Sequence, residues 1–155
     1  MAKGKPVVVV TRRLPRDVET RMMELFEARL NATDKPMSAD DIVAACDGVE
    51  VLVPTVTDRI DADLINRLPD SVELIANFGV GVNHIDLDAA AARKIVVTNT
   101  PDIFIEEVAD HAMMFLLGLN KLTKTMMKFC EEGRWFEMRP VPSAIPRLWG
   151  QTLGL

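Results

Sequence analysis

Residues 72–101 read V-E-L-I-A-N-F-G-V-G-V-N-H-I-D-L-D-A-A-A-A-R-K-I-V-V-T-N-T-P. The apolar run at 72–76 predicts a strand, the alanine-rich stretch at 86–93 a helix, and residues 95–98 another strand. Between the first strand and the helix lies the turn Asn77, Phe78, Gly79, Val80, Gly81, Val82, Asn83. Strands joined through a helix rather than a two-residue turn run parallel, because the crossover carries the chain back to its starting edge. That βαβ reading sets the fold class.

Toward the N-terminus the same texture repeats. Val7, Val8, Val9 and Val10 form a purely β-branched run, as in a strand buried on both faces of a parallel sheet. Pro15 opens a segment in which Val18, Met22, Leu25, Phe26 and Leu30 recur at helical spacing, predicting an amphipathic helix. Residues 30–33 are the expected second strand, and Ser38 with Asp41 forms a capping-box pattern for a helix stopping near Gly48. Residues 49–53, closed by Pro54, give a third strand and residues 61–68 a short helix. Five strands without hairpin signals predict an α/β fold: a flavodoxin-like (Rossmann-like) parallel five-stranded sheet with helices on both faces.

After Pro101 the pattern changes. From residue 102 to about 132 a single long helix is expected, with Val108, Ala112, Phe115, Leu116, Leu119, Leu122, Met126 and Phe129 on an apolar surface too extensive for a small sheet to cover. A partner surface is implied, and Met113, Met114, Met126 and Met127 read as its packing residues. Pro140, Pro142 and Pro146 indicate an irregular arm, and Gln151, Thr152, Leu153, Gly154 and Leu155 read as the start of another strand. The expected organisation is one domain over 1–100, followed over 101–155 by a linker helix and an arm leading toward a Rossmann domain absent from this chain. The sequence reads as cut.

Composition excludes several classes. With 18 Lys and Arg against 23 Asp and Glu, and no basic cluster longer than Arg12 and Arg13, the chain lacks the charge footprint of a nucleic-acid binder. The longest apolar run, residues 112–119, is far short of the roughly 20 residues needed to cross a bilayer. The apolar stretch after Lys3 and Lys5 is too short for a signal core, so the cytoplasm is the expected compartment. Cys46 and Cys130 have no CxxC spacing, which suggests neither a disulfide nor a metal site.

In an open α/β sheet ligands sit beyond the carboxyl ends of the strands. Those ends are Thr11, Arg12 and Arg13; Pro54, Thr55, Val56 and Thr57; residues 77–83; and Asn99, Thr100 and Pro101. Gly79 and Gly81 bring unobstructed backbone amides toward the cleft and suit a carboxylate, or else they merely make a tight strand-to-helix connection. Arg12 and Arg13 either favour an anion or pair with nearby carboxylates. His84 follows the loop and either touches the cleft or, with no carboxylate placed to orient it, has a surface or helix-entry role, the favoured reading; His111 and Asp110 diverge on a helix, so His111 reads as structural. A phospho-acceptor receiver domain would need acidic residues after the first strand and an aspartate ending the third, where this chain has Arg12, Arg13 and Pro54. A flavodoxin phosphate loop is not matched by Arg12, Arg13, Leu14 and Pro15 either.

Residues 77–112, with V-T-R-R-L-P at 10–15 and T-N-T-P-D at 98–102, resemble the D-isomer-specific 2-hydroxyacid dehydrogenases, and in particular the glyoxylate/hydroxypyruvate reductase branch. The resemblance extends over residues 6–155. It implies a flavodoxin-like substrate domain facing a Rossmann domain, with hydride passing from NADH or NADPH to a small 2-oxo acid in a homodimeric enzyme. The main-chain amides of Val80 and Gly81 would hold the substrate carboxylate, with Gly79 in the same loop, Phe78 and Val56 lining the pocket, and Val108 meeting the nicotinamide side of the cofactor. The family's G-x-G-x-x-G and its catalytic Arg, Glu and His are expected beyond Leu155. No catalytic residue is therefore expected here, and the 155-residue chain alone is expected to be inactive. Ile105 replaces a common N-cap hydroxyl, a role left to Asp102, and Met138 stands where relatives often carry tryptophan. The alternative is a non-enzymatic module that retains carboxylate binding or dimerises through its long helix.

Overall fold

The computed structural model describes residues 4–138, 145 and 147–154, with side chains given for all of these but Met138. The chain divides into two compact units, Met1–Ile103 and Phe104–Leu155.

The first unit is the parallel sheet that the crossovers demand. Its strands are β1 (Val7–Val10), β2 (Glu27–Arg29), β3 (Val51–Val53), β4 (Leu74–Ala76) and β5 (Val96–Thr98), in the order β2-β1-β3-β4-β5, all neighbours parallel. This is the flavodoxin-like order, in which the chain first winds outward from β1 to β2 and then returns past β1 to build the other half.

Alternation along the strands sorts the core into two layers. On one face Val9, Leu52 and Ile75 pack with Ile42, Leu64, Ile65 and Ala90 from the helices α2 (Ala39–Ala45), α3 (Ala62–Arg67) and α4 (Leu87–Ala92). On the other, Val8, Val10 and Val53 pack with Val18 and Met22 of α1 (Arg16–Leu25) and with Phe26 and Leu30 just beyond it. A cavity of about 460 Å³ opens on this second face between the α1 residues and Val51, Val53, Leu74 and Ala76.

Local chemistry fixes the helix starts. Ser38 Oγ accepts from the Asp41 amide while the Asp41 carboxylate accepts from the Ser38 amide, so the expected capping box forms. Asp61 and Asp86 cap α3 and α4 by accepting from Leu64 N and Ala89 N. Gly48, at φ +67°, makes the left-handed turn into β3. Arg93 closes the opposite end of α3 by donating to the carbonyls of Ile65 and Leu68.

Several expectations are corrected. The second strand is Glu27–Arg29, not residues 30–33: as an edge strand it pairs only with β1, so its polar Glu-Ala-Arg sequence carries no apolar signal. Its neighbour α1 stops at Leu25, which faces solvent, while Phe26 is already extended. The long helix of the second unit is two helices, α5 (Ile105–Asn120) and α6 (Thr123–Glu131), broken where Leu122 adopts φ +52°. Asp102 does not cap α5: it sits at φ +64°, two residues before the Phe104 cap position, which makes no side-chain cap hydrogen bond. Residues 151–154 form no strand, since a lone segment has no ladder partner among the described residues.

The prolines expected to form an arm, Pro140, Pro142 and Pro146, lie outside the described residues, as do Leu155 and the Met138 side chain. Cys46, buried, and Cys130, exposed, are both free thiols. No helix among the described residues is long and apolar enough to cross a membrane, and they contain no metal-ligand cluster.

Leu64 is fully buried between the sheet and the helix layer. Leu64→Ala is expected to lower unfolding free energy by about 2–5 kcal/mol. Urea denaturation checks this, and a loss below about 1 kcal/mol contradicts the assigned core.

Candidate functional site

Parallel register delivers the ends of β1, β3, β4 and β5 to one edge. The ladder runs on past the strands, with Thr11 N donating to Val53 O, Phe78 N to Pro54 O and Asn77 N to Thr98 O. A single bridge pairs Thr55 with Phe78.

Asp58, almost fully buried, ties two of these ends together. Its Oδ2 accepts from Thr11 Oγ1 at 2.5 Å, Thr55 N at 2.7 Å and Thr55 Oγ1 at 3.2 Å, while its own amide donates to Thr55 O. A buried carboxylate needs this density of donors to offset its lost hydration. The turn it closes projects Val56 from the edge, 58% exposed.

The glycine loop is held by side-chain amides. Asn77, 2% exposed, donates from Nδ2 to the carbonyls of Gly79 at 3.1 Å and Gly81 at 2.9 Å. Gly79 O also accepts from Thr100 N at 3.0 Å, and Asn99 Nδ2 donates to Val80 O at 2.8 Å. Three successive carbonyls are thus drawn toward the protein. A trans peptide is planar with C=O and the following N–H opposed, so the amides of Val80, Gly81 and Val82 are turned away from those partners. The N–H groups of Val80 and Gly81 donate to no acceptor among the described residues.

The two glycines do different work. A Cβ on Gly79 would lie 2.6 Å from Val56 Cγ1, whereas one on Gly81 would meet nothing within 4 Å. Neither has a positive φ. Gly79 is therefore required by close approach of the two strand-end turns, and Gly81 leaves open space over the outward amides.

His84 completes the arrangement. Its Nε2 lies 3.1 Å from Asn77 Oδ1. Because the Asn77 nitrogen faces two carbonyls, its oxygen faces the ring, so Nε2 carries the proton and donates. Burial holds the His84 pKa below its ordinary value, partly offset by the charge of Asp58.

At the end of β1 the Arg12 side chain is committed. Arg12 pairs with Asp34 at 2.9 Å and donates to Thr57 Oγ1, while the Arg13 amide donates to the same Asp34 oxygen. The hydrogen bond from Arg12, followed by that from the Arg13 amide, holds the Asp34 carboxyl below the usual carboxylate range. The Cys46 thiol is pushed up to about 11 by burial and is not a nucleophile.

Of the residues singled out in the sequence, Val56, Phe78, Gly79, Val80 and Gly81 gather on one edge of the first unit, where Val56, Phe78 and Val80 expose apolar side chains. Val108 lies in the second unit on α5, exposed. His111 there is also exposed, its Nδ1 2.8 Å from the Glu107 carbonyl and its ring edge-on to Phe115. Sequence reasoning missed Asn77, Asn99, Thr100 and Asp58 as organisers of the edge. Its available signal was an asparagine at the carboxyl end of each of two adjacent strands.

Comparison with known proteins gives one consistent result. The family model of the D-isomer specific 2-hydroxyacid dehydrogenase catalytic domain matches residues 8–151. Glyoxylate reductase of Pyrococcus furiosus is 30% identical over 97% of this chain and 46% of its own length. Among solved structures, an NADPH-dependent glyoxylate/hydroxypyruvate reductase from Sinorhizobium meliloti, in complex with NADP and malonate, is 32% identical with a TM-score of 0.75, matched over 96% of this chain and 45% of that one. An NAD-binding protein from Polaromonas sp. JS6 66, assigned to the same family, is 26% identical with a TM-score of 0.77, over 99% and 45%. The chain spans about half the length of the curated relatives it matches.

Two predictions test this geometry. Gly79→Ala is expected to destabilise by about 1–3 kcal/mol through the clash with Val56, and Val56→Ala in the same chain to recover most of that loss. Additive effects in the double-mutant cycle would contradict the close approach. For His84 the folded pKa is the lower one, so the unfolded chain takes up the proton first as pH falls. Its contribution is complete above the ordinary value of 6.5 and is lost as pH falls through the folded value. Urea midpoints across that window are expected to fall more steeply for the wild type than for His84→Gln, and equal slopes would refute the assignment.

Proposed function

This chain belongs to the D-isomer specific 2-hydroxyacid dehydrogenases, and on that premise we propose that it is the substrate-binding part of an enzyme reducing a small 2-oxo acid such as glyoxylate or hydroxypyruvate. The observation that carries this is the pair of unpartnered amides at Val80 and Gly81, offered from a loop whose carbonyls are tied back. Two N–H groups aimed into open space suit the two oxygens of a carboxylate. Arg12 is already paired with Asp34, so the anchor is neutral and its selectivity rests on geometry. Val56 and Phe78 supply apolar walls beside it, matching a substrate with a short carbon chain. A relative crystallised with the dicarboxylate malonate is consistent with this choice of ligand class.

The hydride donor of the complete enzyme is NADH or NADPH. Among the described residues, His84 stands three positions after Gly81, where a G-x-G-x-x-G loop has its third glycine, and Val108 on α5 offers one exposed aliphatic side chain to the nicotinamide side. Nor is a general acid at hand. His84 commits its N–H to Asn77, and His111 lies beside its own helix carbonyl in the second unit. What these residues perform is the binding step, holding the carboxylate so that groups from the rest of the enzyme meet the oxo carbon in a fixed orientation. The exposed Phe115, Leu119 and Met127 of α5 and α6 fit burial in a larger assembly, a homodimer in the complete enzyme.

Titration of the ¹⁵N-labelled chain with oxamate, a non-reducible isostere of a 2-oxo acid, is expected to move the Val80 and Gly81 amide resonances saturably. Glyoxylate with NADH or NADPH is expected to give no turnover by the same chain. Unmoved amides would overturn the substrate-anchoring role, and turnover would overturn the assignment of chemistry to residues elsewhere.

A further inference from the structure

The anchoring amides belong to an exposed loop, and what aims them is a set of side chains that touch no substrate. From the carbonyl contacts we infer that Asn77 and Asn99 are positioning residues that divide the loop between them, Asn99 setting the Gly81 N–H and Asn77, braced by His84, setting those of Val80 and Val82. The inference rests on the carboxylate-anchoring reading given above.

The division follows from peptide geometry. Each carbonyl fixes the direction of the amide one residue later, because the two share a rigid plane and point oppositely. Among the described residues Val80 O has a single donor, Asn99 Nδ2 at 2.8 Å, so the orientation of the peptide joining Val80 to Gly81, and with it the Gly81 N–H, depends on one exposed side chain. Gly79 O has two donors, Asn77 Nδ2 and Thr100 N, so the Val80 N–H is held twice. Gly81 O, aiming the Val82 N–H, has Asn77 as its one donor among the described residues. Asn77 reaches both of its carbonyls because its two N–H bonds diverge, and its oxygen is occupied by His84 Nε2, which prevents the side-chain amide from flipping.

The need for such bracing comes from the same feature that makes the site open. Gly81 has no Cβ and no neighbour within 4 Å of where one would stand, so no side-chain packing at this position restrains the peptide that carries its amide. Preorganised donors bind an anion without a reorganisation cost, whereas a freely rotating peptide loses that advantage. Asn99, exposed at the end of β5, restrains the loop without contributing to the core.

The test compares wild type, Asn99→Leu and Asn99→Gln by amide-resolved oxamate titration and thermal unfolding. Leucine keeps the bulk of asparagine and removes the donor, and glutamine keeps a donor on a longer arm. Asn99→Leu is expected to weaken oxamate binding about tenfold with an unchanged melting temperature. The ligand-induced shift is expected to shrink at the Gly81 amide while persisting at Val80, and Asn99→Gln to recover part of both effects. A structural role alone would lower the melting temperature and move both amides together, which overturns the inference. Binding within about twofold of wild type in Asn99→Leu overturns it as well. Asn77→Leu, where it folds, is expected to disturb the Val82 amide more than Gly81, and the reverse pattern contradicts the division of labour. If wild type itself shows no saturable shift, the anchoring reading fails and this inference with it, a result distinct from binding that ignores Asn99.

Discussion

Parallel strands joined through helices leave every strand at the same edge, and the whole site depends on that constraint. The register of β3 against β4, with Val51 beside Leu74 and Leu52 beside Ile75, continues through the bridge between Thr55 and Phe78. Continuation past the strands brings two turns together until Val56 Cγ1 lies 2.6 Å from where a Gly79 Cβ would stand. A register slip of one residue would exchange the faces of β4, burying Leu74 and Ala76 in the layer now filled by Ile75 and moving Asn77 out from beneath the loop. Core packing and the direction of the loop amides are therefore fixed by the same pairing.

Polar groups at this edge are used in a consistent way. Asp58, Asn77 and Thr11 are buried at the sheet's end, where unpaired polar atoms would be costly, and each is bonded to backbone or hydroxyl groups of neighbouring strand ends. Arg12, a cation at the end of β1, is directed to Asp34 beyond the end of β2. In the glycine loop the free donors are the backbone N–H groups of Val80 and Gly81, which carry no charge. Such donors discriminate by position, since they lose little to salt screening and cannot follow a displaced anion as a lysine side chain would.

Most of the sheet was legible because its strands carry their burial in their composition. Val7–Val10, Val51–Val53 and Leu74–Ala76 are apolar without alternation since helices cover both faces, and Ser38, Asp61 and Asp86 announce helix starts through their oxygens. Glu27–Arg29 was not legible, because an edge strand needs only a neighbour's ladder and its residues face solvent. Leu122 gave no warning of the break between α5 and α6, as leucine has no intrinsic preference for a left-handed backbone. In the site, the glycines and the resemblance around them pointed to the loop, but the roles of Asn77 and Asn99 depend on which carbonyls lie within reach. That is a property of the pairing between β4 and β5, not of the residues taken singly.

The pair Gly79 and Gly81 shows why spacing alone underdetermines function. In a nucleotide-binding turn, glycines permit close approach of a phosphate and of a helix N-terminus, and the third glycine comes three residues later. Here that third position is His84, whose ring reaches back to Asn77 rather than leaving room for a diphosphate. The first glycine answers a contact within the protein, and only the second leaves space outside it. Val80 and Phe78 expose apolar side chains in the same loop. The histidine at position 84 thus separates this loop from a nucleotide-binding turn of the same glycine spacing, and it does so by bracing Asn77, whose amide holds the loop carbonyls.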